Sequence, residues 1–138
     1  MIDGHKISVL ITTYRRFKNL HRICMGWLQN PVDEVWVIDG SGSVFVDIQG
    51  HNGRLTVFNM PKDFGPQAHY ALAPLTQGDF VIFSDDDVLP KKHFAEDLYK
   101  GWRECGENGM VGIMGRSFQG EDYYKQTTYY SALKIKKP

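Results

Sequence analysis

The sequence predicts an α/β fold with a mostly parallel central sheet flanked by helices. Three observations predict it. Near-continuous apolar, β-branched runs mark strands buried on both faces. These runs alternate with stretches of helical periodicity, which implies crossover connections and a parallel sheet. Three polar clusters, at residues 12–16, 39–43 and 85–87, each close a predicted strand. The carboxyl ends of such strands are where sheets of this kind bind ligands.

The elements follow in order. Residues 6–14, KISVLITTY, read as the first buried strand. Residues 17–30 place Phe17, Leu20, Ile23 or Cys24, Trp27 and Leu28 on one helical stripe, which Pro31 ends. EVWVID, residues 34–39, is a second strand stopped by GSGS, so the first forty residues form a βαβ unit. Residues 54–60 predict a third strand, PKDFGP a turn, and residues 67–75 a short helix interrupted by Pro74. DFVIFS is a fourth strand. Residues 91–105 form an amphipathic helix with Phe94, Leu98 and Trp102 inward, and residues 109–118 a fifth strand. The aromatic, partly alternating end, YYKQTTYYSALKIKK, is read as a further strand.

The chain has 138 residues, the size of one domain spanning 1–138. A formal net charge of zero argues against binding nucleic acid through a broad basic field. The basic tail KIKKP reads as a solvated end. Cys24 and Cys105 lie in no CxxC motif and near no zinc-spaced histidines, so both are expected as free, buried thiols in a reducing compartment. No stretch spans a membrane and no signal-peptide pattern is present, so the expected location is cytoplasmic.

The clusters carry the chemistry. Asp85, Asp86 and Asp87 repel one another by roughly 3 kcal/mol per pair at ~5 Å and an effective dielectric near 20. Either one proton is retained or a cation compensates. Oxygen-only ligands suit Mg²⁺ or Mn²⁺, ions that commonly bridge a carboxylate and a diphosphate. Alternation lets Asp85 and Asp87 share a task while Asp86 faces elsewhere. The competing reading is a solvated turn in which Asp87 caps the next helix. Tyr14 can stack on a base, and Arg15 and Arg16 can pair with phosphate or simply begin a surface helix. Asp39 can accept from a nucleobase N–H or a ribose hydroxyl, or form a turn before Gly40. GxGxxG is absent, which argues against a nicotinamide cofactor.

Together the stretches ISVLITTYRR, VWVIDGSGS, DFGPQAHYALAPLTQGDFVIFSDDD with VLP after it, and the helix near Phe94 resemble the nucleotide-sugar half of GT-A glycosyltransferases, especially glycosyltransferase family 2. The resemblance covers residues 6–118 in order. It implies a Rossmann-like GT-A sandwich and a metal-dependent glycosyltransferase that takes a UDP- or GDP-sugar and an unknown acceptor. It places Thr12 and Tyr14 at the base pocket and Asp39 on the base, and the charge of Arg16 makes it a candidate donor contact beside them. It makes Asp85 to Asp87 the DXD motif that holds Mn²⁺ or Mg²⁺. Asp87 is then the direct ligand, with Asp85 at the ribose or behind the metal, and the spacing also permits Asp86. Gly65 to His69 match a loop that approaches the donor, and His69 stands where a basic residue is common.

The chain departs from the pattern in three places. A single Asp39, followed by Gly40, replaces the usual acidic pair. Tyr70 stands where Asn is frequent. The part after Asp87 is short beside the acceptor-binding half that carries the family's catalytic base. Asp122, with Glu121, can stand in for that base by spacing, although QGED also reads as a surface turn. The short end motivates an alternative, a nucleotide-sugar-binding module or remnant without turnover. A nucleotidyltransferase would want a glycine-rich loop that TTYRRFKNL lacks. The aromatics of DYYKQTTYYSAL are read as a homodimer face.

Overall fold

The structure, a computed structural model, describes residues 1–42, 52–118 and 127–131. Strands β1 (Ile7–Thr13), β2 (Glu34–Asp39), β3 (Leu55–Asn59) and β4 (Phe80–Asp85) form one sheet in the order β3-β2-β1-β4. All three pairings are parallel. The chain steps outward from β1 to β2 to β3, then returns to the far side of β1 for β4. The strand order therefore reverses between β1 and β4, and a crevice opens at their carboxyl ends.

Register divides the sheet into two faces. Leu10 pairs with Trp36 and with Phe83, and Thr12 pairs with Ile38 and with Asp85, so these residues share a face. Leu10, Trp36 and Ile38 there form a core with Ala68 of helix α2 (Ala68–Leu72), and Phe58, Met60 and Phe83 pack around it. Helix α1 (Leu20–Leu28) buries Leu20, Ile23, Cys24 and Trp27. The Trp27 indole N–H donates to Ser84 Oγ at 3.2 Å, across the opposite row of side chains. Phe94, at the start of helix α3 (Phe94–Glu104), packs its ring 5.7 Å from that of Trp27.

Several boundaries differ from expectation for local reasons. Helix α1 begins at Leu20 rather than Phe17, so Arg15 and Arg16 lie in the turn before it and do not start it. Arg15 is left-handed, with φ of 58°, a conformation that turns the chain sharply off the strand. After Leu72 the chain tightens into a 3₁₀ turn, Ala73–Leu75, where Pro74 has no N–H to continue an α-helix. On α3 the buried positions are Ala95 and Tyr99, while Phe94, Leu98 and Trp102 are half-buried. Strand β5 (Met114–Phe118) starts five residues late, because Gly109 takes φ of 85°. It pairs antiparallel with β6 (Thr127–Ser131) in a separate two-stranded sheet. Cys24 is buried and burial pushes its thiol up to about 12, but Cys105 is exposed, contrary to the expectation for it.

The chain divides into two compact units, Met1–Asp97 and Leu98–Pro138. Among the described residues no helix is long and apolar enough to cross a membrane.

Candidate functional site

A cavity of about 340 Å³ lies at the carboxyl edge of the four-stranded sheet. Thr12, Thr13, Tyr14 and Arg16 line it after β1, Gly40 after β2, Asp63 to Pro66 after β3, and Asp85 to Asp87 after β4. Residues separated by some seventy positions meet there because β1 and β4 are neighbours. Of the residues singled out in the sequence, Thr12, Tyr14, Arg16, Gly65, Asp85, Asp86 and Asp87 share this one cavity. Asp39 and His69 do not line it, and Asp122 lies outside the described residues.

The three aspartates are not equivalent. Asp86 is buried and Asp85 and Asp87 are exposed. Thr13 Oγ1 donates to Asp86 Oδ2 at 2.8 Å. This bond turns the middle carboxylate inward and leaves its two neighbours facing water, as strand alternation predicts. Part of the compensating charge is Arg16. Its Nη1 lies 3.3 Å from Asp87 Oδ2 and 3.6 Å from Asp86 Oδ1. At 68% exposed, that guanidinium holds its partners by under about 1 kcal/mol and is readily displaced. Arg15 instead sits over the Tyr14 ring, 5.2 Å from its centroid, and Tyr14 is itself exposed.

Support for the acidic turn comes from helix α1. Asn30, just past its end, is buried and donates Nδ2 to the Gly26 and Lys91 carbonyls at 2.9 and 3.2 Å, while its Oδ1 accepts from Ala95 N–H at 3.0 Å. It thereby ties the segment after Asp87 to α1. Asp39 is sealed at 1% exposure, and its two oxygens accept from the Ser41 N–H and hydroxyl, each at 2.9 Å. The structure gives Asp39 the turn-forming role. Gly65 adopts φ of 74° and donates its N–H to Asp63 Oδ1 at 2.7 Å. His69 is buried between the rings of Tyr70 and Phe83, with Nδ1 3.5 Å from Thr12 Oγ1. Among the described residues its buried Nε2 has no hydrogen-bond partner. Burial holds its imidazole below the ordinary histidine range, and the nearby Asp85 carboxylate pulls the other way.

Among the described residues no three His, Cys, Asp or Glu side chains converge to hold a metal by themselves. Mg²⁺ and Mn²⁺ sites on phosphorylated ligands need only one or two carboxylates, the rest coming from phosphates and water. The exposed oxygens of Asp85 and Asp87 at the cavity fit that donor set.

Sequence reasoning missed Thr13, Asp63 and Phe64. Thr13 was hidden beside Thr12 in the same strand end. Asp63 and Phe64 read only as part of a turn, although an Asp two residues before a Gly already signals a side chain folded back on the backbone.

Residues 8–137 match the family model Glycosyl transferase family 2. The chain belongs to glycosyl transferase family 2. Its fold is similar to that of S. aureus TarS. The crystal structure of TarS 1–349 is 20% identical over 72% of this chain and 32% of that one, with a TM-score of 0.53. The same TarS fragment in complex with UDP matches at a TM-score of 0.54, with the same identity and coverage. A longer TarS structure is 21% identical over 72% of this chain and 20% of that one, at 0.52. This family 2 chain thus spans about a third or less of the length of these structures. No curated protein matches it in sequence. The family's GT-A fold accounts for the β3-β2-β1-β4 sheet and for the position of the cavity at its reversal point.

Proposed function

We propose that this chain is a nucleotide-sugar-binding domain of a metal-dependent glycosyltransferase, transferring a sugar from a UDP- or GDP-sugar to an acceptor hydroxyl. The observation that carries the reading is the pairing of an exposed tyrosine and two exposed aspartates across one cavity at the strand-order reversal. The UDP bound in the TarS complex supports a nucleoside diphosphate as the occupant.

Tyr14 stacks on the base. Asp87 and Asp85 would hold Mn²⁺ or Mg²⁺, which would neutralise charge on the leaving diphosphate. Asp86, fixed by Thr13, sets the direction of both. Arg16 moves from the carboxylates to the phosphates, where a guanidinium finds a matching acceptor geometry. Asp122 remains the proposed base that takes the acceptor proton. It must come within hydrogen-bond reach of that hydroxyl.

The test is a thermal-shift panel of UDP, GDP and CDP with and without Mn²⁺, on wild type and Asp87→Ala. Metal-dependent stabilisation of wild type, lost in Asp87→Ala, is expected. Equal stabilisation of both proteins would remove Asp87 from the site. Donor binding without transfer or hydrolysis, with Asp85 and Asp87 intact, would favour the non-catalytic module. Gel filtration tests the proposed homodimer.

A further inference from the structure

The carboxylate at the end of β2 is turned away from the cavity. Asp39 is buried and both of its oxygens accept from Ser41. The next residue, Gly40, lines the cavity but has no side chain. A Cβ placed on Gly40 would lie 3.0 Å from Asp63 Oδ1 and 3.4 Å from Asp63 Cα. Asp63 therefore fills the volume that a side chain at position 40 would take. It reaches there from the segment between β3 and α2, and the 2.7 Å bond from Gly65 N–H to Oδ1 fixes its direction. Its Oδ2 accepts no hydrogen bond among the described residues. Tyr14, Met60 and Phe64 line the same cavity.

We infer that Asp63, rather than Asp39, reads the nucleobase of the donor. Its carboxylate accepts a hydrogen bond from a ring imide N–H, N3–H of uracil or N1–H of guanine. A carboxylate has only acceptors to offer. Cytosine presents a lone pair at N3 and is disfavoured there. A site built around one hydrogen bond rejects the analogue that lacks it more strongly than an apolar pocket rejects a methyl group. The inference deepens the donor-site reading above and rests on it.

Titration calorimetry of UDP, GDP and CDP in Mn²⁺ tests it, on wild type, Asp63→Asn and Asp63→Ala. Asp63 is exposed, so both variants are expected to melt with wild type. Wild type should bind UDP or GDP more tightly than CDP by roughly tenfold to a hundredfold, the range of a hydrogen bond to a charged acceptor. Both variants should lose that preference while CDP affinity holds. Unchanged preference in the variants overturns the inference and leaves the donor site standing. An equal loss for all three nucleotides also overturns it, because the carboxylate would then serve the ribose. Wild type that binds none of them overturns the donor site as well.

Discussion

The two edges of the parallel sheet use carboxylates differently. At the amino edge they close the structure. Glu34 Oε1 accepts from Ser8 Oγ at 2.6 Å and from Gln77 N–H at 2.7 Å, and its Oε2 accepts from the Trp36 indole at 2.8 Å. Asp33 and Asp79 accept the backbone N–H groups of Ile7 and Lys6. For Asp33 burial pushes its carboxyl up, but the Ile7 N–H and nearby positive charge outweigh it and hold the group below the usual range. Gly78 belongs to the same closure, since a Cβ there would meet Ser8 N at 2.8 Å. At the carboxyl edge, Asp39 and Asp86 are likewise satisfied and buried, but Asp85, Asp87 and Asp63 keep oxygen exposed at a cavity. Residue type alone does not separate the two groups. What separates them is whether donors of the protein, side chain or backbone, enclose the carboxylate or leave one of its oxygens facing the cavity.

The largest effect should come from breaking the amino edge. Glu34→Ala strands the buried Ser8 hydroxyl and Trp36 indole and should cost about 3 kcal/mol, read as a lower urea midpoint. Nucleotide affinity should be unchanged in the folded fraction, and a matching loss there would erase the contrast between the edges. Asp87→Ala should do the reverse. We expect its melting temperature to hold while Mn²⁺-dependent nucleotide affinity falls on the order of a hundredfold, the upper range seen for residues that support metal ligands.

Thr13→Val sharpens the contrast, because Thr13 belongs to both categories. It should destabilise by about 1.5 kcal/mol, since buried Asp86 loses its neutral donor. Metal-dependent affinity should also weaken, and Thr13→Ser should recover both. Recovery of stability without affinity would confine Thr13 to folding.

The smallest effect is a pH slope of one proton, at most about 1.4 kcal/mol per pH unit. Burial depresses the folded-state value of His69 below its unfolded value. Below the unfolded value near pH 6.5 the unfolded chain binds more protons, so stability is full above that pH and is lost as pH falls toward the folded value. Urea midpoints at pH 7.5 and 5 should differ less in His69→Phe than in wild type. An identical pH difference in the two proteins would show that His69 is not the group titrating.

Strands β1 to β4 were legible because their apolar runs are long and β-branched, and burial on both faces demands that composition. Helix α1 was legible from Leu20, Ile23 and Trp27 at helical spacing. The start of β5 was not, since apolar Met110 and Val111 look like strand while Gly109 turns the chain. The stripe on α3 was misplaced because Phe94 and Trp102 are large and apolar, yet the half-turn led by Ala95 and Tyr99 is the one buried.

The site divides the same way. The acidic triplet, Tyr14 and Arg16 announced themselves because charge and an aromatic ring at strand ends are costly without a use. Asp63 did not, and Asp39, read from the resemblance as a base contact, lies buried with each oxygen accepting from Ser41. By itself the sequence determined the elements, their order and the parallel sheet, since these follow from periodicity and composition along the chain. Only the tertiary structure decided which carboxylates remain available to a ligand. That depends on which donors lie within about 3 Å in space, and Gly40 and Asp63 become neighbours only when β2 and β3 are laid side by side, as Thr13 and Asp86 do only when β1 and β4 are.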